Sequence, residues 1–414
     1  MLLEFSVSNF LSIKDEITLS MVASTDKFLS KNTIQFNKNI LLKSVAIYGP
    51  NASGKTNILY ALYYATHLII NSHRIQSGET LDYRPFRLDK KYETKPSSFK
   101  IVLEIDSIKY IYEFSLDKDK IHKENLWYFP PPHGRKKIIF SRDITRGDKI
   151  YKFPKKDEKM LNIIKTNTRD NMLYLSRSAN MNYEKTSSVV DWFTKNIRTM
   201  NPENDLITGV YTKMVLSADE TKKTTIRNFL AKADSGIVGI DVKEKSFNDD
   251  FLKEFPKELR DLILEEERKA VETIHNGLDY EGNKIEVRFG LDEEAKGTRK
   301  MFNLAGPLMD ALAGGRLLTI DEIETSLHPI LVRYLINVFN DPKYNKRGAQ
   351  LIFTTHNTHL MHPTIIRRDQ MWLTEKGEDQ ATRLLSVCEY KVRPDENIEK
   401  GYLLGRYGAI PNLE

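Results

Sequence analysis

The chain has 414 residues, 40% of them hydrophobic and 29% charged, with a net charge of +6. That length suggests two or three lobes, and the composition is ordinary for a soluble globular protein with a real core. The lone cysteine, Cys388, excludes an internal disulfide, no apolar run approaches the roughly 20 residues that span a bilayer, and Glu4 stands where a secreted chain carries a basic leader. A cytoplasmic protein with no signal peptide and no membrane partner is therefore expected.

Leu3, Phe5 and Val7 alternate, as do Ile17, Leu19 and Met21, so residues 1 to 22 predict paired strands with the first three side chains on one face. Val45-Ala46-Ile47-Tyr48 predicts a short buried strand. It feeds Gly49-Pro50-Asn51-Ala52-Ser53-Gly54-Lys55-Thr56, which fits G-x-x-x-x-G-K-[ST] at every fixed position. Ile58, Leu59, Leu62, Ala65 and Ile69 then recur at helical spacing, so a helix runs on from Lys55. Strand, glycine loop and helix are the context a phosphate-binding loop needs. Gly49 and Gly54 let the backbone curl its amides toward phosphate oxygens, and the helix start adds its positive end. Lys55 would neutralise the outer phosphates and Thr56 would hold Mg²⁺. ATP and Mg²⁺ are the cofactors this run implies.

Phe99, Ile101, Leu103 and Ile105 alternate, Asp106-Ser107 turns, and Tyr110, Tyr112, Phe114 and Leu116 alternate back as a hairpin. Phe129-Pro130-Pro131-Pro132-His133-Gly134 punctuates the chain and opens a basic stretch. From His133 to Arg177 there are 13 Lys and Arg against 5 Asp and Glu, a local +8, which leaves −2 for the remainder. It reads either as a solvated loop region or as a patch for a phosphate backbone, with Arg135, Lys136, Lys137, Lys155 and Lys156 as the candidate nucleic-acid contacts. From about 160 to 277 the pattern is mostly helical, and Pro256 to Ile274 predicts a helix stopped by Asn276-Gly277.

Ile285, Val287 and Phe289 predict a strand that re-enters the nucleotide domain. Met301, Phe302, Ala305, Leu308, Met309 and Leu312 mark a helix face ending at Gly314-Gly315, with a kink or a split expected at Gly306-Pro307. Two apolar strands follow, Leu317 to Ile320 and Gln350 to Thr355. The first ends in Asp321-Glu322, where Asp321 can contact Mg²⁺ through water and Glu322 can orient or deprotonate an attacking water. The second ends at His356, which can reach a terminal phosphate. His359 and His362 follow at spacings of three without the thiol or carboxylate help of a zinc site, so no zinc is expected. The fold expected is α/β, with one P-loop ATPase domain built from both chain ends and an inserted, mostly helical lobe. The expected boundaries are 1–117, 118–283 and 284–414.

Gly49 to Thr56, Asp321-Glu322-Ile323-Glu324-Thr325-Ser326-Leu327-His328-Pro329 and Gln350-Leu351-Ile352-Phe353-Thr354-Thr355-His356-Asn357 together resemble ABC-type ATPases of the SMC, RecF and OLD group. More closely they resemble the compact bacterial AAA-family ATPases that include RloA, the AbiL-type abortive-infection ATPase and AriA of the PARIS defence system. Phe5 to Phe10 and Gly405 to Pro411 are similar to that family's two ends, so the resemblance spans nearly the whole chain. It implies an ABC-type dimer in which two nucleotide domains sandwich ATP. It implies Glu322 as catalytic acid, His356 as switch histidine, and Glu294-Ala295-Lys296-Gly297-Thr298 as the signature loop acting in trans. Ser326 and His328 would lie in the D-loop, which crosses the dimer interface. The chain departs from the family twice. Ala295 stands where a serine is usual, which shifts trans contacts toward Gly297 and Thr298, and Leu11 stands where a basic residue is common. No Q-loop glutamine stands out.

Three functions fit these motifs. The first is a self-associating ATPase of bacterial anti-phage defence that senses infection and controls a separately encoded effector, such as a nuclease. The chain ends too soon after the nucleotide domain for the nuclease domain of OLD-type proteins, and Asp117-Lys118-Asp119 reads as an exposed turn. The second is a RecF-like or SMC-like DNA-maintenance ATPase that grips duplex DNA with the stretch from Arg135 to Lys159. The third, a transporter ATPase subunit, is disfavoured by the Gly297-Thr298 form of the signature.

Overall fold

Five parallel strands and one antiparallel edge strand form the sheet that carries the phosphate loop. With strands numbered in chain order, it runs β11 (Ile197–Thr199), β15 (Leu317–Ile320), β16 (Gln350–Thr354), β5 (Ser44–Tyr48), β17 (Met371–Lys376), β18 (Thr382–Ser386). Every residue of β5, β15 and β16 is buried, as central parallel strands covered on both faces require. A second sheet is antiparallel throughout, in the order β10 (Tyr151–Lys152), β9 (Lys137–Asp143), β8 (Ile121–Phe129), β7 (Ile108–Leu116), β6 (Ser97–Ile105), β1 (Leu2–Ser8), β2 (Ile17–Ser20). The small hairpin β3 (Thr33–Phe36) and β4 (Asn39–Leu42) stands apart from both, and β12 (Ile237–Glu244), β13 (Lys269–Leu278) and β14 (Lys284–Gly290) form a three-stranded antiparallel sheet. This computed structural model describes residues 1–131, 134–199, 206–218, 220–244, 269–390 and 396–411.

The chain divides into two compact units. One holds Met1–Pro202, Ala311–Ile323 and Ile336–Glu414, and the other holds Glu203–Asp310 and Glu324–Leu335. In the first, one apolar cluster joins both large sheets: Phe5 and Val7 from β1, Val45 and Ile47 from β5, Ile352 from β16, and Ile58 and Leu62 from α1 (Lys55–Asn71). The expected hairpin forms with Ile105 opposite Ile108, and Asp106 and Ser107 both take positive φ, as a two-residue turn between twisted strands requires. Leu3, however, does not share a face with Phe5 and Val7. The register slips between Leu2 and Glu4, so Leu2 enters the main core and Leu3 joins Leu41 and Val102 in a separate cluster.

The region expected to be helical is only partly so. Helices α2 (Glu158–Thr166), α3 (Tyr174–Asn180), α4 (Glu184–Asn196), α5 (Leu206–Ala218) and α6 (Glu220–Leu230) occupy its centre. Residues 121–129 and 137–143 instead extend the antiparallel sheet, so the expected boundary at 117/118 falls between β7 and β8, which pair along their length. Of the helix expected over 256–274, residues 269–274 belong to strand β13, and the remainder lies outside the described residues. The strand at Ile285 to Phe289 does form, but it pairs with β13 in the second unit and does not return to the nucleotide sheet.

The helix expected to kink at Gly306-Pro307 is one continuous element, α7 (Lys296–Gly314). Pro307 has no amide to offer the carbonyl four residues earlier, that of Asn303. The Thr212 hydroxyl of α5 donates to Asn303 O at 3.1 Å, and it accepts from Gly306 N at 3.0 Å. A neighbouring side chain thus replaces the missing intrahelical bond. Gly306 permits this approach, since a Cβ there would lie 2.8 Å from Thr212 Cα.

Candidate nucleotide site

Register sets the site. Thr354 pairs with Ile47 and Ile320 with Phe353 in parallel strands, so the C-terminal ends of β5, β15 and β16 emerge at one sheet edge. Gly49 and Asp321 follow the ends of β5 and β15 directly and His356 lies two residues past the end of β16, which is where ligands bind in open α/β sheets. The phosphate loop curls there through positive φ at Gly49 (153°), Ala52 (62°) and Gly54 (104°). Lys55 is buried, and its Nζ donates to Gly49 O and Pro50 O at 3.0 Å each. Thr56, in the first turn of α1, donates from Oγ1 to Asp321 Oδ2 at 2.9 Å.

Thr354, the last residue of β16, lies within the motif run Gln350 to Asn357, which by itself assigns it no role. Its fully buried hydroxyl donates to Asp321 Oδ1 at 2.5 Å and accepts from Glu322 N at 2.7 Å, while its carbonyl accepts from Ile323 N at 3.1 Å. One side chain therefore holds the Asp321 carboxylate and the backbone of Glu322. Asp321 is half-buried, and Glu322 is exposed with φ at 44°, a left-handed conformation rare for a non-glycine residue. His356 is exposed at the same edge; His359 lies 3.1 Å from Glu399 through Nδ1. Ser12, Thr374 and Thr382 also border the loop, and no sequence pattern singled them out.

An Mg²⁺ ion fits what is present. Thr56 Oγ1 and the Asp321 carboxylate are hard oxygen donors held 2.9 Å apart beside a curled run of loop amides.

The remaining motif residues lie in the second unit. Ala295 and Lys296 are exposed, whereas Thr298 is buried in the first turn of α7. Gly297 meets Ser326, because a Cβ on it would come within 2.9 Å of Ser326 O. Ser326 has φ at 63° in the turn before α8 (Pro329–Asn340), and exposed His328 accepts from Ile330 N through Nδ1 at 3.3 Å. Glu294, the first residue of the expected signature stretch, is held by the Thr273 hydroxyl and by His275 Nε2 at 2.8 Å. The structure thus brings Gly297 and Ser326 together.

Of the basic residues, Arg135, Lys136, Lys137, Lys155 and Lys156 are all exposed. Lys136 lies 3.9 Å from the centre of the Trp127 ring. Lys137 pairs with Tyr128 on the neighbouring strand, and Tyr183 donates to Asp157, which follows Lys155 and Lys156 in the chain. Asp157 is neutralised by Lys185 at 2.6 Å, which holds its carboxyl below the usual range.

The fold and this edge define a P-loop α/β domain of the nucleotide-binding ATPase class. Residues 44–362, well over half of the chain, match the family model described as "AAA domain, putative AbiEii toxin, Type IV TA system". The chain belongs to that family. No curated protein sequence matches it. Among solved structures it is similar to an SMC head bound to the C-winged helix domain of ScpA, at 13% identity and a TM-score of 0.42 over 93% of this chain and 97% of that one. It is similar to the SMC head domain from Thermotoga maritima at 11% identity and 0.42, over 93% and 98%. A third is an Smc head with an extended coiled coil bound to the C-terminal domain of ScpA derived from Pyrococcus furiosus, at 12% and 0.41, over 98% of each chain. Among the described residues, no helix is long and apolar enough to cross a membrane.

Proposed function

We propose that this protein is an Mg-ATP-dependent, self-associating ATPase of bacterial anti-phage defence that controls a separately encoded effector, as its resemblance to RloA, the AbiL-type ATPase and AriA implies. The observation that carries the ATPase half is the single hydrogen-bonded set Thr56, Asp321, Thr354 and Glu322 at the mouth of the phosphate loop. Loop amides from Gly49 to Thr56 and the Lys55 ammonium bind the phosphates, and Thr56 with Asp321 holds the metal. Mg²⁺, when bound, supplies charge neutralisation of the phosphate oxygens. Glu322, whose backbone N–H donates to the Thr354 hydroxyl, takes the proton of the attacking water, and His356 contacts the terminal phosphate. Ala295, Gly297 and Thr298 form the trans signature, with Ser326 and His328 beside it. Lys296, exposed next to Ala295, supplies a cation where the usual serine is missing.

The defence half is supported by the family description, which names a toxin of a type IV toxin–antitoxin system. Expressing the chain alone and with its genomic neighbours under phage challenge tests it. Protection is expected only with the neighbours, and is lost on Glu322→Gln. Full protection by this chain alone would remove the need for an effector.

A second reading, a RecF-like or SMC-like DNA-binding ATPase, is favoured by the five exposed cations at Arg135, Lys136, Lys137, Lys155 and Lys156. It expects duplex binding that weakens steeply between 50 and 200 mM salt, on the order of 10³-fold if about six phosphates are contacted. Neutralising Arg135, Lys136 and Lys137 together would flatten that salt slope; an unchanged slope rejects the reading.

A further inference from the structure

We propose that Thr374 and Thr382, one on each strand of the β17–β18 hairpin, and Ser12 are positioning residues that hold the phosphate loop in its anion-binding curl. The inference rests on reading that loop as the nucleotide site. Ser53, the residue before Gly54, is almost wholly buried, and both its polar ends are captured by the hairpin. Its carbonyl accepts from Thr382 Oγ1 at 2.8 Å, and its hydroxyl lies 2.6 Å from Thr374 Oγ1.

The proton directions follow from counting donors. Thr374 Oγ1 spends its one proton on Tyr48 O at 3.0 Å, so Ser53 donates to Thr374. Thr382 spends its proton on Ser53 O, so Ser12 donates to Thr382 at 2.7 Å, and Asn57 Nδ2 donates to Ser12 Oγ at 2.6 Å. Two short relays result. One runs from the first turn of α1 through Ser12 and Thr382 to the loop carbonyl, and the other from Ser53 through Thr374 to the end of β5.

The loop's own backbone bonds are few and long: Ser53 N to Pro50 O and Ile58 N to Gly54 O are each 3.3 Å. The hairpin hydroxyls therefore add bracing at Ser53 to that which Lys55 Nζ gives Gly49 O and Pro50 O. Sterics agree. A Cβ at Gly49 would fall on Thr374, and one at Gly54 on Thr382 and Ser12, so the loop lies directly on these side chains. Thr374 and Thr382 are buried where valine would pack as well, and a buried hydroxyl is costly unless it is bonded. The hairpin is itself tied to the N-terminal turn by Thr382 N to Ser12 O at 2.7 Å and by the Lys14–Asp379 pair at 3.1 Å. Loop shape is thereby set from outside the phosphate-loop motif.

The test uses the full chain, with Mg-ATP binding by titration and phosphate release as separate readouts. Thr382→Val and Thr374→Val each remove two buried neutral hydrogen bonds, one of them to Ser53 of the loop, and the loss of that one is expected to weaken ATP binding about ten-fold, with turnover at saturating ATP little changed. Thr382→Ser and Thr374→Ser keep the hydroxyl and are expected to bind as the wild type does. Wild-type binding by both valine variants, or serine variants as weak as the valine ones in a folded protein, overturns the inference. If a valine variant does not fold, the serine variant decides: unimpaired binding supports the role of the hydroxyl, and impaired binding refutes it. Failure of the unaltered chain to bind ATP would instead overturn the nucleotide-site reading itself.

Discussion

Thr354→Val removes one oxygen and leaves side-chain volume almost unchanged, so its effect isolates the hydroxyl. That oxygen makes two bonds: it donates to the Asp321 carboxylate at 2.5 Å and accepts from Glu322 N at 2.7 Å. The first is charge-assisted and is worth about 1.5–3 kcal/mol. The second fixes the backbone of a residue held at φ 44°, and its loss costs about 1 kcal/mol more. If both acids must be aligned in the transition state, some 3 kcal/mol corresponds to roughly a 100-fold fall in turnover. The bond from Thr56 to Asp321 Oδ2 and the Lys55 contacts are untouched, so ATP affinity is expected to change less than about three-fold. Phosphate release under saturating Mg-ATP, beside an ATP titration, reads the two separately, and Thr354→Ser is expected to recover the wild-type rate. A valine variant that turns over at the wild-type rate, or a serine variant as slow as valine, would refute the claim that this hydroxyl orients the pair.

Two further substitutions probe the scaffold. Gly306→Ala would press a methyl against Thr212 Cα at 2.8 Å, so destabilisation of about 1–3 kcal/mol is expected, and Thr212→Val, which strands Asn303 O beside Pro307, is expected to cost about 1–3 kcal/mol. Denaturant titration followed by proteolysis of the second unit measures both, and unchanged midpoints would mean that α7 tolerates Pro307 unaided. Glu124 is fully buried, accepting from Tyr174 N at 2.7 Å, Leu175 N at 2.8 Å and Tyr112 OH at 2.9 Å. Burial pushes its carboxyl above the ordinary 4.5 despite Arg142 nearby. Its contribution to stability is therefore fully present below pH 4.5 and is lost as pH rises through the raised folded value. Since glutamine does not titrate, the Tm gap between the wild type and Glu124→Gln is expected to narrow as pH climbs from 4.5 toward 7; a constant or widening gap contradicts this.

Features carried by near neighbours in sequence were legible without coordinates. Gly49 to Thr56 between an apolar run and a helical one specifies a phosphate loop, because φ above zero and a helix start are local properties. Asp106-Ser107 specifies its hairpin for the same reason. Distant partners decided the rest. Residues 269–274 carry a pattern that reads as helix, yet they are a strand because β12 pairs with all of them and β14 with residues 272–274. Leu3 left the core face because its partner strand enforces a slipped register. At the site, Asp321 and Glu322 stood out as acids ending an apolar strand. Thr374, Thr382 and Ser12 are ordinary hydroxyl residues that no nearby pattern distinguishes, and Thr354, though inside the motif run that ends at Asn357, carries no sign of its partners. Only the sheet order, which sets β16 between β15 and β5 and lays β17 and β18 beside the loop, turns those hydroxyls toward it. A side chain's hydrogen-bond partner is a property of the assembled sheet. The sequence by itself therefore marked the residues proposed to meet phosphate, and the tertiary structure decided which atoms hold them in place.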